Sequence, residues 1–174
     1  MTMTAIREPG TSAPARPPWP VPLPGYRSSS LGLPARPESA GQARHGALAA
    51  LCEWELDELS DDAALVVTEL VQNAIQATRR AGLNAPVRLL LLAGLRTLLV
   101  VVKDAVPPAL GQPVIRSRTD GLARWVGGDG TDPDQHGNGL ILVAALSVRL
   151  DWKPAPDGGK VVRALLRNGR GAQR

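Results

Sequence analysis

At 174 residues, 44% of them hydrophobic but only 3% aromatic and none Phe, the chain fits one domain plus tails, with a core of Leu, Val, Ile and Ala that favours helices packed on a sheet. The net charge of +4 sits at the ends: residues 1–36 carry +3 and residues 163–174 carry +4, which leaves −3 for residues 37–162 and no cationic face there for a nucleic-acid backbone. The single cysteine, Cys52, excludes an internal disulfide and a thiolate zinc site, and no apolar run reaches the roughly 18 residues of a membrane span or forms a signal peptide, so a cytoplasmic protein is expected.

The first two dozen residues contain Pro14, Pro17, Pro18, Pro20, Pro22 and Pro24. Each lacks an amide donor and has a fixed φ, so residues 1–25 are expected to be a disordered tail. Residues 26–33 read as an edge strand closed by Pro34. After Pro37, the helical spacing of Ala43, Ala47, Leu48, Leu51, Cys52 and Leu56 predicts a first amphipathic helix ending near Leu59, with Cys52 as a small buried hydrophobe. Ser60, followed by Asp61 and Asp62, is a cap and acidic first turn for a second helix that stops at Gly82, with Arg79 and Arg80 complementing its C-terminus.

Residues 87–92 and 98–103, separated by Gly94-Leu95-Arg96-Thr97, predict a β-hairpin. Residues 107–137 are rich in Pro, Gly and Asp and read as a long loop, functional or mobile, with a short helix over 122–126. A third helix over 139–148, a strand over 149–153, a turn at Asp157-Gly158-Gly159 and a last strand over 160–166 complete the pattern. The domain is therefore bounded at 26–167, leaving residues 168–174 as a basic tail.

Three features could carry chemistry. Glu69 and Asn73 lie one turn apart on one face of the second helix, beside Leu70, Ala74 and Ile75. Taken alone, such a pair is also explained by two side chains that simply face water. Asp104 follows the apolar run 98–102 and precedes Pro107-Pro108, where a carboxylate can accept a hydrogen bond from an exocyclic amine or serve turn chemistry. Gly137-Asn138-Gly139-Leu140 opens a helix, where bare backbone and unpaired amides can approach a phosphate, although glycines serve ordinary turns too. His45, His136, Trp54, Trp125 and Trp152 have no motif around them and read as packing or surface residues.

The order of these features is more specific than any one of them. A helix bearing E-L-V-Q-N-A, a hairpin ending in V-V-K-D, a long loop, and G-N-G-L opening a helix together resemble the GHKL, or histidine kinase-like, ATPase superfamily. P-A-R-P-E-S-A-G-Q-A-R before the first helix and the final G-G-K-V-V-R-A-L-L resemble its anti-sigma regulatory factors, which are serine-protein kinases. The resemblance spans residues 27–167 and implies an α+β two-layer sandwich, with a mixed, mostly antiparallel sheet and helices on one face.

It also implies a binding site for ATP and Mg²⁺. By resemblance, Asn73 coordinates the metal, Glu69 orients or deprotonates the attacking hydroxyl, Asp104 takes the adenine amine, and Gly137, Asn138, Gly139 and Leu140 bring backbone amides to the phosphates. The implied partners are a STAS-type anti-anti-sigma protein, phosphorylated on serine, and a sigma factor, with the regulator itself a homodimer paired through its sheet or first helix. The chain departs from the family pattern at Ala105-Val106-Pro107-Pro108, where glycines are usual, at Ala77, where a His is frequent, and at Val161, where a hydroxyl is common. A stiffer loop follows, and loss of a polar group beside adenine costs about 1 kcal/mol of binding. These departures motivate an alternative, a non-catalytic module that regulates transcription by sequestering a partner, while the Arg-bearing tails motivate a third reading, salt-dependent DNA binding.

Overall fold

The computed structural model describes residues 26–110, 113 and 139–168. The Pro-rich segment, the short helix expected over 122–126, Gly137, Asn138, Trp125, His136 and the last six residues of the basic tail lie outside the described residues. The described elements are strand β1 (Arg27–Leu33), helix α1 (Glu38–Glu53), a 3-10 turn (Asp57–Leu59), helix α2 (Ser60–Arg80), strands β2 (Val87–Ala93) and β3 (Thr97–Asp104), a 3-10 turn (Pro108–Leu110), helix α3 (Gly139–Leu146) and strands β4 (Arg149–Pro154) and β5 (Lys160–Arg167). None of these helices is long and apolar enough to cross a membrane.

The five strands form one sheet in the order β1-β2-β3-β5-β4. Every pairing is antiparallel, so the mixed character expected of the sheet is absent among the described residues. Because side chains alternate across a pleated strand, one face collects Leu33, Val87, Leu89, Leu91, Leu98, Val100, Val102, Val162, Ala164 and Leu166. These residues form one core with the apolar stripes of α1 and α2 and with Val143 of α3. The architecture is the expected α+β two-layer sandwich with its helices on one face.

On the outer face, Leu90, Val101, Ala155 and Val161 make a smaller buried cluster. Beside it Lys103 forms an ion pair with Asp157 of the β4–β5 turn, which holds the Asp157 carboxyl below its ordinary value. Further along the same face, Asp151 bridges Arg149 (2.8 Å) and Arg163 (2.5 Å).

The helix ends show where local pattern and structure part. Helix α1 stops at Glu53 rather than near Leu59, because Glu55 takes a left-handed conformation with φ 56°. Its neighbours close a Schellman motif: Leu56 N donates to Leu51 O (2.9 Å) and Glu55 N to Cys52 O (3.2 Å), and the buried side chains of Leu51 and Leu56 seal it. Helix α2 ends in the same way at Gly82, φ 66°, with Leu83 N donating to Thr78 O (3.0 Å), and Arg79 and Arg80 lie in its last turn as expected. At its start, Ser60 is already helical and makes no capping hydrogen bond, since the 3-10 turn runs directly into α2 and Leu59 occupies the cap position. Asp61 and Asp62 still place negative charge at the positive end of the dipole. Cys52 is exposed, against expectation, because it falls on the outer side of α1, whereas Trp54 is buried.

The β4–β5 turn contains two glycines with positive φ that differ in surroundings. A Cβ on Gly158 would meet nothing within 4 Å, whereas one on Gly159 would lie 2.0 Å from Asp104 O and 2.8 Å from Ala105 Cα. Gly158→Ala is therefore expected to lose roughly 1–2 kcal/mol, the left-handed backbone cost alone. Gly159→Ala should lose on the order of 3 kcal/mol or more, because backbone has to move. Urea unfolding of the two variants checks the ranking, and equal losses would contradict it.

Candidate functional site

Helix α2 buries Ala63, Val66, Val67, Leu70, Val71, Ala74, Ile75 and Thr78 against the sheet and α1. At 3.6 residues per turn, Glu69 and Asn73 fall at the margin of that stripe, and both are half-buried. Ala77, one turn further along, is also half-buried, and its methyl group offers no polar atom there.

Helix α3 packs on α2, with Leu140 and Leu146 against the core. Its first residue, Gly139, meets Glu69: a Cβ on Gly139 would lie 2.1 Å from Glu69 Oε2 and 3.1 Å from Cδ. The carboxylate thus occupies the space that any other residue would fill. The unpaired amides and positive dipole end of a helix favour a carboxylate at that point. Two residues seventy positions apart in sequence are brought into contact.

Asp104 ends β3 on the helix-facing side of the sheet, and it is 3% exposed. Its Oδ1 accepts from the backbone amide of Val106 (2.9 Å) and from Lys160 Nζ (3.0 Å). Lys160 is its register partner on β5, and its side chain is 6% exposed. Burial raises the Asp104 carboxyl above its ordinary value, and Lys160, the Val106 amide and Lys103 pull it back only in part. The Val106 amide bond closes an Asx turn through Ala105, and the buried Val106 side chain anchors it, so this segment uses the Asp side chain where glycines were expected.

The sequence reading places Gly159 in a turn and Lys160 at a strand start and gives neither a role in the site. Val161, considered as the position beside the base, points to the opposite sheet face, into the cluster with Leu90, Val101 and Ala155. The polar side chain next to Asp104 is Lys160. The signal was the Gly-Gly-Lys run itself: a glycine that lets two backbones touch, followed by a cation at the first strand position. Gly137 and Asn138 lie outside the described residues, and of their motif the structure places Gly139 and Leu140.

Residues 33–165 match the family of histidine kinase-like ATPase domains. The chain belongs to that family. No curated protein matches it. A histidine kinase-like ATPase domain implies ATP binding, and this chain's donor set suits that ligand. Asp104 offers a buried acceptor, Asn73 and Glu69 supply oxygen atoms one helical turn apart, and Gly139 leaves the start of α3 bare of side chain.

The raised Asp104 carboxyl gives a pH dependence opposite in sign to that of an ordinary paired carboxylate. Folding raises its pKa, so its contribution favours the native state below the unfolded carboxylate value and is lost as pH rises through the native one. Unfolding free energies of wild type and Asp104→Asn, measured across that acidic window, should therefore diverge, with wild type losing ground as pH increases. A gap that is constant, or that moves in wild type's favour, would contradict the assignment.

Proposed function

We propose that this histidine kinase-like ATPase domain binds Mg²⁺-ATP and transfers a phosphoryl group to a serine of a STAS-type anti-anti-sigma partner, acting as an anti-sigma regulatory factor. The observation that supports this best is the contact between Glu69 and Gly139. It sets a carboxylate from the Glu-Asn helix against the opening of the helix that follows the glycine motif.

Asn73, with a neutral carboxamide oxygen, would hold Mg²⁺, a hard cation that keeps several of its waters. ATP supplies the γ-phosphoryl group and a charge that the metal partly neutralises. Glu69 would accept the proton of the attacking serine as the bond from its Oγ to phosphorus forms and the bond to the ADP oxygen breaks. Asp104 would accept from the adenine amine, and the first amides of α3 would face the phosphates. Phosphoryl transfer depends mainly on position and charge, so these few groups suffice.

Titration calorimetry with Mg²⁺ and ATP is expected to show binding that falls at least about tenfold in Asn73→Ala, the loss of one interaction with a charged group. Glu69→Gln should retain binding and lose transfer of labelled phosphate to the partner. Gly139→Ala, whose new methyl would meet first the flexible tip of Glu69, should keep its unfolding midpoint while lowering transfer. Equal ATP affinity in wild type and Asn73→Ala would sink the reading.

The occupation of Asp104 Oδ1 by Val106 and Lys160 favours a second reading, a module that regulates a partner by sequestering it and transfers no phosphate. Incubation with labelled ATP and the partner separates the two, since the module would bind without labelling.

A further inference from the structure

Both hydrogen bonds that Asp104 takes from described residues go to Oδ1, and neither touches Oδ2. Lys160 has three N–H donors, and among the described residues it spends one of them, on Asp104. The two side chains thus set an acceptor beside a donor at the helix-facing end of the β3–β5 pair, each almost closed to solvent.

A buried ion pair is a poor stabilising device. Its desolvation cost can exceed its Coulombic gain, and apolar side chains of similar volume commonly serve stability as well or better. The apolar alternative is realised on the adjoining rungs of the same ladder, where Val102 faces Val162 and Val100 faces Ala164. The pair breaks that series at the one position where the strand end carries the candidate base-reading carboxylate. The chain also accommodates a glycine there: Gly159 has φ 78°, and its Cα lies so close to Asp104 that a Cβ would fall 2.0 Å from the Asp104 carbonyl oxygen. That close approach brings the following residue, Lys160, onto the carboxylate.

We propose that Lys160 is a specificity-determining residue that reads the purine together with Asp104: Asp104 Oδ2 accepts from the adenine N6 amine while Lys160 Nζ donates to adenine N1. Adenine presents a donor and an acceptor side by side on that edge, and the Asp104-Lys160 pair presents their complement. The inference rests on the proposed binding of ATP and deepens it by naming the second group that recognises the base.

The test compares ATP with 1-deaza-ATP, which replaces N1 by C–H and leaves the amine, ribose and phosphates unchanged. Calorimetry with Mg²⁺ is expected to show wild type binding 1-deaza-ATP about tenfold or more weakly than ATP, the loss of one charge-assisted hydrogen bond. Lys160→Met should bind the two nucleotides alike, each near the weaker wild-type value. Because Lys160→Met leaves a buried carboxylate unpaired, Lys160→Gln is measured alongside it: its amide keeps a donor without the charge, and it should discriminate less than wild type. Equal affinity of wild type for the two nucleotides, or full discrimination retained in either folded variant, overturns the assignment. If wild type binds both nucleotides equally while Asn73→Ala still loses ATP, Lys160's role falls and the nucleotide reading stands. If wild type binds no ATP, both fall.

Discussion

The packing of α2 onto the sheet is the constraint from which the site follows. Leu70, Val71 and Ala74 are at most 6% exposed, and the same helix turns carry Glu69 and Asn73 at the edge of the buried stripe. Burying aliphatic side chains of this size is worth roughly 1.5–3 kcal/mol each for the larger ones, so the helix cannot rotate about its axis to hide or expose the polar pair without giving up several such contacts. The orientation of a carboxylate and a carboxamide is thus set by apolar residues that touch no ligand. With α2 fixed, α3 approaches it closely through a residue lacking Cβ, Gly139, where it meets Glu69.

The other end of the site has a different physical origin. Asp104 and Lys160 face each other because β3 and β5 are register partners, and they come close because Gly159 lets one backbone lie against the other. Here the chain accepts an electrostatic cost, visible in a carboxyl raised by burial despite a cation at 3.0 Å. On the outer face of the same strands, Lys103 pairs with a solvent-exposed Asp157, whose carboxyl is lowered instead. Two Lys-Asp pairs only one strand residue apart therefore differ in sign of shift, and the difference is the burial of the acid.

Much of this was readable in the sequence, for reasons that also explain the rest. The strand and helix order follows from periodicities of two and 3.6, which survive in any chain that must bury one face. Glu69 and Asn73 were readable because they sit four residues apart on one helix, and Gly139 because it opens a helix within a Gly-Asn-Gly run. Glu55 gave no sign of ending α1, since a left-handed conformation at a non-glycine is imposed by the surrounding Schellman bonds rather than by its own preference. Cys52 read as buried because its apolar character fits a core position, yet the helical phase puts it on the solvent side of Leu51. The missed pairing of Lys160 with Asp104 shows the limit most clearly. Val161, noted in the sequence as a departure from the family pattern, is one residue away from the partner of Asp104, and in a strand one residue is the difference between the two faces.

The two ends of the site also differ in how far they can yield. At the α2-α3 end, the group that meets Gly139 is the tip of a long side chain, so rotation about Glu69 side-chain bonds can make room without moving either helix. At the β3-β5 end, the close contact is backbone on backbone, and the acid is tied by an amide two residues on and by a lysine on the facing strand. A ligand approaching such a site meets fixed donors and acceptors at the strand end and adjustable ones at the helix end. Discrimination between similar molecules requires that the wrong one be unable to recruit a compensating shift, and only the strand end has that property. In the proposed function, base identity would therefore belong to the residues held by the sheet, while the helix termini, where charge would have to be accommodated as bonds form and break, would retain the freedom to follow it.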